Sequence, residues 1–191
     1  MYRRKKMKKL SKILILHGWN ASPKEHWFPE ARERFEKVGF RVESPELPGN
    51  YFPKKEEWVR IIESFKPDEN WVLIGHSLGG VAILRYLEKA PGKIKQVILV
   101  ATPYDAMKFG AIDNFFAGGF DWPKIKANSP QFDLVYEADD MAVPLKHGQK
   151  YAKKLGGKLH VLPGFDHFQK IDLDFLEKLI KWVSSMRWEK L

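Results

Sequence analysis

The chain has 191 residues, 44% of them hydrophobic, a size and apolar content that suit one domain able to bury its own core. It contains no cysteine, which excludes thiol catalysis, thiolate-bound zinc, iron–sulfur clusters and any disulfide framework. The formal charge of +9 suggests nucleic acid until it is located: Arg3, Arg4, Lys5, Lys6, Lys8, Lys9 and Lys12 supply most of it, leaving about +2 for the rest.

Residues 1–11 therefore read as a basic head, expected to be disordered and solubilising, with a weak anion-binding arm or a translation start at Met7 as alternatives. No interleaving of basic and aromatic residues comes after it, so no nucleic-acid partner is expected. The run "ILIL" is too short for a signal-peptide core, and no apolar segment approaches the length of a membrane span. The triplet Asn20-Ala21-Ser22 fits a glycosylation sequon, but no other feature argues for secretion. The expectation is a cytoplasmic protein with no membrane partner.

From residue 12 onward, short apolar runs alternate with helical patterns. "KILIL" (12–16) predicts a strand and leads into "HGWN", after which "KEHWFPE", with His26, opens a helix. "FRVES" (40–44) predicts a second strand. In "KKEEWVRIIESF", Trp58, Ile61, Ile62 and Phe65 recur at helical spacing with Lys and Glu on the other face. "WVLIG" (71–75) predicts a third strand, followed by "HSLGG" and a helix with Ile83, Tyr86, Leu87 and Ala90 along one side.

"QVILV" (96–100) predicts the fourth strand and runs into "TPYD". The aromatic and glycine-rich segment after it, 102–130, is too short for a cap domain and long enough for one or two helices beside a cleft. "FDLVY" (132–136) and "KLHVLP" (158–163) are the last strands, leading to "EADD" and "GFDHF". His147 falls inside a helix and His160 inside a strand, where both read as structural. Phe175, Leu176, Leu179, Ile180 and Val183 line a C-terminal helix.

Continuous rather than alternating apolar runs mark strands covered on both faces, and their spacing of about 25 to 36 residues matches a βαβ unit. Residues 12–191 are thus expected to form a single α/β domain: a doubly wound, mainly parallel sheet of about six strands with helices on both faces. Ligands of such sheets bind beyond the carboxyl ends of the strands, so the candidate site residues are sought in the loop after each apolar run.

Gly75-His76-Ser77-Leu78-Gly79 is a G-x-S-x-G nucleophile elbow between a strand and a helix, with Gly80 adding room for close packing. A serine there sits on a strained turn whose flanking positions must be small. The Leu78 N–H points outward at a helix N-terminus, placed for a developing oxyanion. Glycine and serine are common enough to produce the pattern in about one chain of this length in twenty, so the elbow needs companions.

A serine hydroxyl needs a base, and histidine is the usual one. His167, after the last strand, completes the order Ser, Asp, His that the fold prescribes, and its protonation should switch activity off in acid. The carboxylate that would orient it lies in "YEADDMAVPL"; Asp140 is chosen for its D-x-x-V-P context, with Pro144 opening the next helix, and Asp139 is the fallback. By position the second oxyanion donor is the backbone N–H of Trp19 in "HGWN", with His17 bracing that loop. Phe115, Phe116 and Trp122 are candidates to line an apolar acyl pocket, although aromatics in such a segment also serve to dock it onto the sheet.

The blocks "ILILHGWNASPKEHWFPEAR", "IGHSLGGVAILRYLE", "VILVATPYD", "FDWPKIKANSP", "EADDMAVP" and "GFDHFQ" resemble, in this order and across nearly the whole chain, the small serine hydrolases typified by YdeN and retinoblastoma-binding protein nine. The resemblance implies a compact α/β-hydrolase without a large lid and a triad at Ser77, Asp140 and His167. Its first loop departs from the glycine-rich version of some relatives. The expected chemistry is acyl transfer to water from a small-molecule ester, thioester or amide, with no metal and no cofactor. The alternative is a non-catalytic protein-interaction module on the same scaffold, and perhydrolysis is a fainter third reading. Oligomeric state is not readable from the chain.

Overall fold

The computed structural model describes residues 11–163 and 166–185, with side chains to residue 180; the basic head before Ser11, the last six residues and the Val183 side chain lie outside the described residues. Six strands are formed: β1 (Lys12–Leu16), β2 (Arg41–Glu43), β3 (Trp71–His76), β4 (Gln96–Val100), β5 (Phe132–Glu137) and β6 (Lys158–Leu162). They pair in the order β2-β1-β3-β4-β5-β6, every pair parallel, with Ile13 opposite Val42 and Leu14 opposite Leu73 fixing the register at the start. The helices are α1 (Phe28–Lys37), α2 (Lys55–Ser64), α3 (Leu78–Leu87), α4 (Trp122–Ala127), α5 (Lys146–Leu155) and α6 (Leu173–Ser185).

The continuous apolar runs explain the layering, because successive side chains of a strand point to opposite faces and here both faces are covered. Leu14, Leu16, Leu73, Val97, Leu99, Leu134 and Tyr136 pack with Trp58 and Ile62 of α2, Val81 and Leu84 of α3, Ile125 of α4 and Tyr151 of α5. On the other face Ile13, Ile15, Val72, Ile74, Ile98 and Val135 meet Phe28, Ala31 and Phe35 of α1 and Leu176 and Ile180 of α6. The predicted stripe of α2 differs in detail: Trp58, Val59 and Ile62 are buried, while Ile61 and Phe65 pack at the margin.

The fold is an α/β-hydrolase sheet, and among the described residues no large lid is built on it. The longest excursion is residues 101–131, which carry a short 3-10 helix (Gly110–Phe115) and α4. Arg85, buried on α3, clamps this excursion: its guanidinium donates to the carbonyls of Phe115 (2.7 Å), Gly119 (2.5 Å) and Ala117 (3.1 Å), pairs with Glu88 at 3.0 Å, and lies over the Phe120 ring. Among the described residues no helix is long and apolar enough to cross a membrane.

All six strands end at the same edge. The chain leaves β1 outward to β2 and returns to β3 on the other side, so the switch in direction opens a crevice between the ends of β1 and β3. Ser77 stands there, directly after β3.

Candidate active site

The elbow is visible in the backbone. Ser77 adopts φ 51° and ψ −125°, a conformation that costs a non-glycine residue about 1–3 kcal/mol and persists only where surroundings hold it. They do so through the Ser77 N–H, which donates to Val100 O at 2.8 Å, and the Ser77 carbonyl, which accepts from Gly80 N–H at 3.0 Å. A Cβ on Gly75 would run into the backbone of Gly80 and Gly79, and one on Gly79 would sit 2.5 Å from the His17 carbonyl oxygen. The glycines are there because strand, turn and helix pass too closely for side chains.

Asp140 and His167 arrive from the loops after β5 and β6. His167 Nδ1 lies 2.8 Å from Asp140 Oδ2, and His167 Nε2 lies 3.2 Å from Ser77 Oγ. Asp140 is buried, and its Oδ1 accepts the N–H groups of Ala142 at 2.7 Å and Val143 at 2.8 Å, so both oxygens are engaged. Burial pushes this carboxyl up, but hydrogen bonds from the His167 ring and the two N–H groups pull it further down, below its ordinary value. An ionised Asp140 requires the proton on His167 Nδ1, which leaves Nε2 free to accept from the serine. Asp139, the fallback acid, is exposed beside it.

The loop carrying His167 is itself strained, since Asp166, His167 and Phe168 all have φ between 52° and 55°. Three contacts hold it. His76 Nε2 donates to the His167 carbonyl at 2.9 Å, buried Glu137 accepts the Phe168 N–H at 2.8 Å, and the Phe168 side chain is fully buried. Burial, reinforced by the neighbouring His167 charge, drives the His76 pKa down to about 3, so its ring is a neutral donor and not a second base.

His17 braces the first loop from within: its Nδ1 donates to Gly18 O at 2.8 Å and its Nε2 accepts the Leu47 N–H at 3.0 Å. Burial holds its pKa below the usual histidine value, which keeps Nε2 an acceptor. The Gly18 position lies against Ser77, with room for no side chain: an added Cβ would stand 2.9 Å from Ser77 Cβ.

A cleft of about 720 Å³ opens in front of Ser77, and Trp19, Leu78 and His167 line it. Its apolar wall comes from Met107, Phe109, Ile112 and Val143 rather than from the aromatics expected. Phe115 is fully buried against Trp58, their rings 5.2 Å apart. Phe116 packs on Phe120, and Trp122 stacks on Tyr104 at 5.7 Å with Tyr151 behind it. Phe115 docks the 101–131 excursion onto α2 and Trp122 docks it onto α5, Phe116 packs within it, and none of the three lines the cleft, which corrects the pocket assignment. Among the described residues no cluster of three or more histidine and carboxylate side chains could hold a metal ion.

The serine hydrolase family profile matches residues 13–175, a span that contains every residue named above for the site. The chain belongs to the serine hydrolase family. This serine hydrolase is 29% identical over 161 residues to the hydrolase YdeN of Bacillus subtilis (strain 168), covering 82% of this chain and 85% of that one. It is also 29% identical over 164 residues to serine hydrolase RBBP9 of Rattus norvegicus, with 84% and 86% covered. The crystal structure of the ydeN gene product from B. subtilis superposes with a TM-score of 0.85 at 25% identity, covering 92% of this chain and all of that one. The family resemblance expected from the motif blocks is thereby shown.

The residues that motif reading missed act through others. In the sequence Arg85 lies in the helix after the elbow, Glu137 opens the "EADD" loop and His76 lies inside the elbow, none with a signal of its own. Only a contact across the fold reveals the role of each.

Proposed function

We propose that this serine hydrolase cleaves a small ester, thioester or amide through an acyl-enzyme on Ser77. The observation that carries the reading is the continuous hydrogen-bonded line from Asp140 through His167 to Ser77 Oγ, at 2.8 Å and 3.2 Å. His167 takes the serine proton as Oγ attacks the carbonyl carbon and returns it to the leaving group. A water molecule then repeats the attack on the acyl-enzyme with the same base. Asp140 holds the tautomer and stabilises the imidazolium. The backbone N–H groups of Leu78 and Trp19 are the proposed oxyanion donors, a role supported by the position of both residues on the cleft beside Ser77.

A fluorophosphonate probe tests the reading on the purified protein. Covalent labelling that disappears in Ser77→Ala is the expected result; an unlabelled wild-type chain would leave the interaction-module alternative standing. A panel of nitrophenyl esters of increasing chain length, run beside aminoacyl amides, then sets the acyl class.

A further inference from the structure

The first turn of α5 breaks a helix rule at the edge of the cleft. Acidic residues are favoured there and lysines are not, because the helix dipole is positive at that end. Yet the first turn of α5 holds no acid, it begins on Lys146, and Lys146 and Lys150, one turn apart, both line the cleft, as does Lys108 from the 101–131 excursion. Lys150 is shared with Asp105 at 3.6 Å, while Lys108 and Lys146 have no carboxylate partner among the described residues. Lys108 and Lys146 thus bring positive charge to the cleft with no described carboxylate to answer it, whereas Lys150 is engaged by Asp105, itself on the cleft, and by the Tyr104 ring.

A second observation is independent of the lysines. His147 is only 2% exposed, yet it belongs to the cleft wall. Its Nδ1 accepts the Tyr104 N–H at 2.8 Å, so in the neutral ring the proton sits on Nε2, and no described group accepts it. Burial lowers the ring's pKa, with Lys150 and Lys146 adding to that and Asp105 and Asp140 opposing it, which keeps the ring neutral and Nε2–H a fixed donor. The ring is enclosed but this N–H opens to the cleft, where water or a polar group of a ligand can complete it.

We infer that His147 Nε2–H, Lys146, Lys150 and Lys108 form a subsite for an anionic group of the substrate, a carboxylate or phosphate separated from the scissile carbonyl by an apolar segment. The inference rests on the hydrolase reading and narrows its substrate class. Met107, Ile112 and Val143 supply the apolar stretch of cleft, whose volume of about 720 Å³ suits a ligand with both parts. Carboxylate on the acyl side and phosphate on the leaving group share this chemistry.

Paired substrates separate the two. In one arm, 4-nitrophenyl half-esters of linear dicarboxylic acids are compared with their methyl-capped neutral counterparts. In the other, butyryl-coenzyme A is compared with the butyryl thioester of N-acetylcysteamine. An anionic member should be preferred by about tenfold or more in kcat/KM, and the preference should shrink as salt is raised. It should fall to within about twofold of unity in Lys146→Gln/Lys150→Gln and persist in Lys93→Gln, a charge removed at the far end of the sheet. Ratios near unity in both arms, or a preference that survives the double variant, would overturn the subsite. Fluorophosphonate labelling of Ser77 keeps the two readings apart: a labelled enzyme with flat ratios loses only the subsite. If labelling fails, calorimetry on Ser77→Ala decides, where monomethyl glutarate should bind and dimethyl glutarate should not; equal binding would refute the anion site.

Discussion

At the residue scale, adjacent side chains of the same type are separated by what they touch. Asp139 and Asp140 are identical in chemistry, but only Asp140 is buried, doubly hydrogen-bonded and 2.8 Å from His167. Asp140→Asn should therefore lower kcat on an activated ester by about 10³–10⁴-fold, through loss of the working tautomer, whereas Asp139→Asn should stay within about threefold. Steady-state kinetics on both variants decide the assignment, and the reverse order would exchange the acid. His76 makes a different prediction. Its pKa falls from 6.5 to about 3 in the folded state, so the unfolded chain takes up a proton that the folded one refuses. Stability is then complete above pH 6.5 and lost as pH drops toward 3, at up to about 1.4 kcal/mol per pH unit. His76→Gln keeps a donor for the His167 carbonyl and removes the titration. Urea unfolding between pH 6.5 and 4 should show a shallower fall in stability than in the wild type.

At the element scale, the site is made of strand ends and strained turns, and each turn is secured from outside itself. The loop of three left-handed residues around His167 depends on Glu137 at the end of β5, whose carboxylate receives the Phe168 N–H. Glu137 is a positioning residue. Glu137→Ala should cost about tenfold or more in kcat with a smaller change in KM, because the imidazole loses its place while the cleft remains. Glu137→Gln still offers an acceptor and should restore most of the rate. A KM effect as large as that on kcat, or no rescue by glutamine, would assign Glu137 a general packing role. The elbow was readable because a strained turn demands glycines, and each glycine here faces backbone or, for Gly80, the Thr102 side chain. The loop around His167 was not, since its left-handed residues Asp166, His167 and Phe168 carry no glycine to mark them.

For the molecule as a whole, the sheet was legible because strands buried on both faces must be apolar throughout, and β1, β3, β4 and β5 carry that pattern directly. The line of Ser77, Asp140 and His167 came out of it, as a parallel sheet brings all strand ends to one edge. The substrate end stays open between two roles in the sequence, because Phe115 and Trp122 have the same composition signal whether they line a cleft or anchor a segment. What decides between these is Arg85 and the α2–α3 surface, contacts distant in sequence. His147 reads as structural in the sequence, and its burial and its hydrogen bond from the Tyr104 N–H agree; which ring nitrogen that bond leaves over is a property of the folded loop alone.

The central claim is that Ser77 Oγ, deprotonated by His167, carries the acyl group. Rapid mixing with 4-nitrophenyl acetate, then acid quench and peptide mass spectrometry, observes that bond directly. The account predicts a burst of nitrophenol and one acetyl group on the peptide containing Ser77, both absent in Ser77→Ala and strongly slowed in His167→Gln. Turnover of the ester with no acetylated Ser77 at any quench time, or acetylation undiminished in His167→Gln, would contradict it.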